Sequence, residues 1–257
     1  SGLTAFIYTG NYGIPPVTIT GRVLTDLVMI DKVIGAGEIA ISDHRSAYPT
    51  QNDLAKLAYE VITGGMIGGK AGVIHLHVGD GRDGLRPLTE LLESTDFPIS
   101  MFVPTHLNRN RALFDQTVRY HKTGGTIDLT AGEETEEWIG VPQCLARLVE
   151  AGNGLDRVTV SSDGNGSGAG GPGKGAGSVM SLFSDFRSAV VDHRLPLESV
   201  LRTVTENPAK TLKLYPRKGK IAVGSDADIL LADRAGFAPK MLLAGGCLLM
   251  WDGKPVR

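Results

Sequence analysis

Val73-Ile74-His75-Leu76-His77-Val78-Gly79-Asp80 is a short apolar run that ends in imidazole and carboxylate side chains. The same grammar recurs along the chain, and that recurrence decides the fold. Comparable β-forming runs cover residues 6–9, 33–41, 99–104, 126–130 and 158–162. Between them lie stretches of helical periodicity. In residues 53–62, Leu54, Leu57, Ala58, Val61 and Ile62 fall on one stripe, and Asn52 or Asp53 is placed to cap its start. Residues 87–92, 112–121, 142–150 and 179–193 read as further helices, two of them closed by Gly124-Gly125 and Gly152.

Nearly continuous apolar strands alternating with helices predict βα units around a parallel sheet buried on both faces. Asp43-His44, His77 with Asp80, His106, Asp128 and Asp163 all lie at or just past the ends of apolar runs. In a (β/α)8 TIM-type barrel the strand C-termini share one rim, and active sites are built there. The runs account for about six of the eight βα units. An open Rossmann-type sheet is the alternative, but no phosphate-binding turn follows the first strand. After Leu214 the pattern changes to short strands and glycine turns, over residues 219–231 and 241–251, with Asp252-Gly253 as a hairpin turn. Residues 1–213 are therefore expected to form the barrel and 214–257 the C-terminal part of a small β-sandwich.

The chain has 257 residues, 21% of them charged, with a formal net charge of -2. Acids and bases alternate, so neither a nucleic acid nor a membrane surface is an expected partner. No apolar run approaches the roughly 20 residues that span a bilayer. The two cysteines, Cys144 and Cys247, sit far apart in apolar runs, which suits buried free thiols in the cytoplasm better than a disulfide framework.

His77, His106 and Asp163 end three separate strands, and two imidazoles with a carboxylate on one rim form a plausible zinc set. A lone rim histidine is more often structural; three such groups together favour the metal. His75 is expected to face the other side of its strand. Glycines after Asp163 let a substrate approach its carboxylate, which is suited to metal binding and proton relay, although Asp-Gly also invites a plain Asx turn. The glycine-rich residues 164–177 read as a substrate-covering loop. The phosphate-loop spacing of 168–174 lacks the following Ser or Thr, since Gly175 stands there. Arg45 and Arg109, just beyond strand ends, are placed to fork onto a substrate carboxylate, unless they are ordinary rim ion-pair partners. Tyr12 is positioned to donate to an oxyanion or simply to pack in its loop.

Residues 8–12 (Tyr-Thr-Gly-Asn-Tyr), 39–46 (Ile-Ala-Ile-Ser-Asp-His-Arg-Ser), 104–110 (Pro-Thr-His-Leu-Asn-Arg-Asn), 124–130 (Gly-Gly-Thr-Ile-Asp-Leu-Thr) and 161–167 (Ser-Ser-Asp-Gly-Asn-Gly-Ser) resemble the bacterial isoaspartyl dipeptidases of the amidohydrolase superfamily. The resemblance continues through Asn207-Pro208-Ala209-Lys210 and residues 219–230. It implies hydrolysis of β-aspartyl dipeptides by a metal-activated hydroxide at a centre of two zinc ions. By this resemblance His77 and His106 hold one zinc, while Asp163 binds the other and acts as general acid and base. Tyr12 polarises the scissile carbonyl, and Tyr12, Arg45, Arg109 and Ser167 bind the substrate. The family's bridging carbamylated lysine is replaced by Glu38, a shorter anionic O–C–O bridge that needs closer backbone, which Gly37 can permit.

The family's His-x-His on the first barrel strand has no counterpart here, because His75-Leu76-His77 belongs to a later strand. A complementary N-terminal segment carrying the first barrel strands is therefore expected as a partner, in a homo-oligomer. The rival readings are a cyclic-amide hydrolase, an N-acyl amino acid deacylase of the same superfamily, or a non-catalytic scaffold subunit with an incomplete metal site.

Overall fold

The computed structural model describes residues 2–132, 138–166 and 177–256. Three strands, β1 (Ile7–Thr9), β2 (Val33–Ile41) and β3 (Val73–Val78), pair in parallel, and β4 (Phe102–Thr105) extends the same sheet in chain order. A second parallel pair, β5 (Ile127–Thr130) and β6 (Val158–Ser161), continues beyond β4. Side-chain bonds close the β4–β5 seam: Thr105 Oγ1 donates to Asp128 Oδ2 (2.7 Å), and His106 Nδ1 lies 2.7 Å from Thr130 Oγ1.

The helices α1 (Val23–Met29), α2 (Gln51–Ile67), α3 (Arg86–Ser94), α4 (Arg111–Lys122), α5 (Val141–Glu150) and α6 (Met180–Val191) connect or follow these strands. Four of these starts have a local cause. Thr50 and Asp53 form a reciprocal capping box on α2, so the cap lies two residues upstream of Asn52, because the threonine hydroxyl reaches the Asp53 amide. Asn110 caps α4 by accepting from the Leu113 amide (2.8 Å). Prolines occupy the first turns of α3 and α5, where no amide partner is lost. The apolar stripes Leu54, Leu57, Val61 and Leu88, Leu91 and Leu145, Leu148 pack on a strand layer containing Ile39, Ile41, Ile74, Leu76, Phe102, Ile127 and Val158.

Three helices are absent from the periodicity reading: α1, α7 (Leu197–Val204) and α8 (Glu206–Thr211). All three are short, so too few turns repeat for a stripe to stand out. The Asn207 amide, buried in α8, donates to Leu155 O (2.6 Å) and Val158 O (2.8 Å), tying this helix to the base of β6.

The C-terminal sheet is antiparallel, in the order β10-β9-β8-β7, from β7 (Ile229–Ala232), β8 (Pro239–Ala244), β9 (Cys247–Trp251) and β10 (Lys254–Pro255). Asp252 and Gly253 turn with φ of 47° and 72°, as a tight hairpin turn requires. Residues 219–228, expected as strand, are turns instead. Asp226 and Asp228 fold back onto Lys218 rather than offering a ladder. Among the described residues no helix is long and apolar enough to cross a membrane.

Candidate metal and substrate site

β2 is buried along its length except at Glu38, whose side chain keeps 27% of its exposure. The backbone there bulges between Ala36 and Ile39. A Cβ at Gly37 would lie 2.7 Å from the Cβ of His75, so only glycine lets β2 press this closely on β3. Gly37 thus allows a close β2–β3 approach immediately before Glu38.

Glu38 Oε1 sits 3.3 Å from His77 Nδ1 and 3.1 Å from His106 Nε2. These three groups offer ligand atoms all within 4.8 Å of one another. Both rings are buried. Each has its far nitrogen engaged: His106 Nδ1 with Thr130 Oγ1, and His77 Nε2 with Asp43 Oδ2 at 2.9 Å. A mixed imidazole and carboxylate set with each imidazole fixed from behind fits a divalent metal such as zinc.

His106 reaches the mouth because its backbone takes a left-handed φ of 62° at the end of β4; Ser42 (52°) and Asp163 (45°) do the same after β2 and β6. Such conformations cost roughly 1–2 kcal/mol each for a non-glycine residue and cluster where function fixes the backbone. Burial would raise the Glu38 pKa, but hydrogen bonds from His106 and His77 and their charge outweigh it and hold it well below the usual carboxylate range. His106 is shifted down, chiefly by burial, against the pull of Glu38. Asp163 is shifted up, burial again first, with the Glu38 charge adding to it while His106, His77 and Arg109 oppose. Asp163 is thus in the field of the whole cluster, although its oxygens are not among the three convergent ligands. Gly166 packs on it, since a Cβ there would lie 2.2 Å from Asp163 Oδ1.

The Tyr12 hydroxyl lies 3.0 Å from His77 Nδ1, on the Glu38 side, and its loop is pinned by the Ala40 amide donating to Tyr12 O (3.1 Å). Its pKa is pushed up to about 12 by burial and then by Glu38, so it stays a donor at neutral pH. Arg45 stacks over the Tyr12 ring and Arg109 over Trp138. The two guanidiniums converge on the far side of His77, with Arg45 Nη2 3.1 Å and Arg109 Nη1 3.3 Å from Nε2.

Ser167 and most of the glycine-rich loop lie outside the described residues. His75 requires a correction: two residues from His77 on one strand, it shares the same face, as the strand period dictates, and stacks on Tyr8 at 5.2 Å. Asp128 accepts from Thr105, Thr159 and Ser161 hydroxyls and serves the barrel interior. Asp43 and Thr130, which hold the two imidazoles from behind, had no assigned role in the sequence. Asp43 at a strand end two residues before Arg45 was the one available signal.

The candidate ligands gather at the C-terminal ends of parallel strands, the rim where a (β/α) barrel builds its active site. The amidohydrolase family model matches residues 137–247. A beta-aspartyl dipeptidase from the thermophilic, keratin-degrading Fervidobacterium islandicum AW-1, solved with a beta-Asp-Leu dipeptide, superposes with a TM-score of 0.92 and 44% identity, over 100% of this chain and 68% of that one. The chain belongs to the beta-aspartyl dipeptidase family. A D-hydantoinase shares the fold at a TM-score of 0.61 and 16% identity, over 100% of this chain and 72% of its own. An L-hydantoinase of Paenarthrobacter aurescens is 50% identical over 40 residues, 16% of this chain and only 9% of that protein's length.

Proposed function

We propose that this chain carries the larger part of a zinc dipeptidase that hydrolyses β-aspartyl peptide bonds. The observation that carries the reading is the two-sided environment of His77. Glu38 and the Tyr12 hydroxyl flank Nδ1, whereas two guanidiniums flank Nε2. Metal ligands and carboxylate-binding groups thus meet across one ring.

Glu38, His77 and His106 would hold metal, with Asp163 contributing to a second ion. Bound there, the metal supplies Lewis acidity that polarises a carbonyl and lowers the pKa of water. Asp163, its pKa raised, accepts the proton of the attacking water and returns one to the leaving amine. Tyr12 donates to the developing oxyanion. Arg45 and Arg109, with Ser167, bind the substrate carboxylates, and an uncharged substrate would leave two cations unmatched.

The other ligands would come from a complementary segment carrying the remaining barrel strands. That is supported by the relative's length, of which this chain spans 68%, and by the outer edge of β1, unpaired among the described residues. Cys144 is buried as expected, whereas Cys247, in an apolar run of the sparsely covered C-terminal sheet, is exposed rather than buried, and free thiols suit a cytoplasmic protein.

The likeness to hydantoinases supports a cyclic-amide hydrolase as the second reading, but a hydantoin ring has no carboxylate for the arginines. Assaying β-Asp-Leu, α-Asp-Leu and a hydantoin side by side tests the choice. Turnover of β-Asp-Leu alone, abolished by chelation and restored by zinc, is expected. Preferred turnover of the hydantoin would overturn the reading.

A further inference from the structure

We propose that Asp43 is a positioning residue that couples the metal half of the site to its carboxylate-binding half. The inference rests on the dipeptidase reading for the second half only. Asp43 is almost fully buried, with 1% side-chain exposure, and its carboxylate faces both halves of the site, with the exposed His44 and Asp80 offering atoms within 4.8 Å of it from outside. Oδ1 accepts from the Arg45 backbone amide (2.7 Å) and from Arg45 Nε (3.0 Å). Oδ2 meets Arg45 Nη2 (3.1 Å), His77 Nε2 (2.9 Å) and Arg109 Nη1 (3.6 Å). The exposed His44 ring approaches Oδ1 at 3.5 Å from outside.

The environment of His77 Nε2 makes this carboxylate decisive. Its other polar neighbours are Arg45 Nη2 and Arg109 Nη1, both of which can only donate. Asp43 Oδ2 is the one acceptor in reach of that nitrogen among the described residues. For Nδ1 to present a lone pair toward Glu38, Nε2 must carry the proton, and that proton needs an acceptor. Without Asp43 the guanidiniums would favour the opposite tautomer, which turns N–H toward the metal side. The same carboxylate holds Arg45 through two parallel bonds, the geometry that fixes a guanidinium plane. His106 is different, because among the described residues the Thr130 hydroxyl backs it and no arginine shares that group.

Asp43 is itself fixed by backbone. A Cβ at Gly79 would fall 2.4 Å from the Asp43 Cβ, and the Gly81 amide donates to Ser42 O at 2.7 Å, so the turn after β3 seats directly on it.

The experiment compares Asp43→Asn with Thr130→Val in the intact zinc-loaded protein, reading zinc loss to a chelator and the KM and kcat for β-Asp-Leu, with circular dichroism as the fold check. Asp43→Asn is expected to weaken zinc retention about 10- to 100-fold and, at saturating zinc, to raise KM about 10-fold with a smaller change in kcat. Thr130→Val is expected to weaken zinc retention while leaving KM within about two-fold. Unchanged zinc retention and KM in Asp43→Asn would overturn the proposal, as would an equal KM rise in Thr130→Val. If Asp43→Asn does not fold, Arg45→Ala supplies the second arm. It keeps the Asp43–His77 bond and should raise KM without faster zinc loss, and zinc loss as fast as that expected for Asp43→Asn would count against the coupling. A wild-type protein that retains zinc yet leaves β-Asp-Leu intact would sink the dipeptidase reading, while the zinc arm would still report on Asp43.

Discussion

The barrel mouth and the C-terminal sheet are built from similar apolar strands and differ in what covers them. β2 to β6 are buried on both faces, because helices α2 to α5 bring leucine stripes against one face while the other faces the barrel interior. In the C-terminal sheet, Leu230, Leu231, Leu248 and Trp251 are 47%, 50%, 41% and 61% exposed among the described residues. The first region fixes its side chains by close packing on both sides, and the site sits there. The second has a ladder without a core, so its order depends on what packs against it.

The largest contrast is expected at Asp163. Asp163→Asn should lower kcat about 10²- to 10⁴-fold. Stability should move the other way. The folded pKa of Asp163 is raised by burial, so its contribution is present at low pH and lost as pH rises through that folded value. Removing the charge removes the loss, and thermal melts of the metal-free variant at pH 7 should be no lower than wild type. A clearly lower melt would place Asp163 in the scaffold.

Next in size, Leu88→Ala, at 1% exposure under the mouth, should cost about 2–5 kcal/mol in denaturant melts. Arg109→Lys loses the planar fork and should raise KM for β-Asp-Leu about 10-fold with little change in kcat, read from steady-state kinetics. The smallest effect belongs to the terminal sheet. Leu231→Ala should change stability by about 0.5 kcal/mol or less in this chain alone. A loss of several kcal/mol in the intact protein would show that a further segment covers that face.

Much of this was legible in the residues. Strand runs and helix stripes placed β1 to β6 and five of the helices, because buried parallel strands are continuous apolar segments and amphipathic helices of three or more turns repeat visibly. Tyr12, Arg45, His77, His106 and Arg109 each end or follow a strand and Glu38 is legible from the family resemblance, and the fold brings all six to one mouth. The supporting partners were less visible. Asp43 and Thr130 act through rings 34 and 24 residues away, a pairing that no local spacing encodes. His75, expected on the opposite face of β3, shares the face of His77, because residues two apart on a strand point the same way. The short apolar run Ile221-Ala222-Val223 between glycines reads as a strand, while the Lys218 ion pairs that fold residues 219–228 back are a tertiary matter.

Metal content of the intact protein tests the central claim most directly, compared between wild type and Glu38→Gln by elemental analysis. The account predicts two zinc ions per wild-type protomer and fewer than one after the substitution, because Glu38 is the anion that both imidazoles share. Wild-type protein that binds no divalent metal, or a variant that holds as much as wild type, would contradict it.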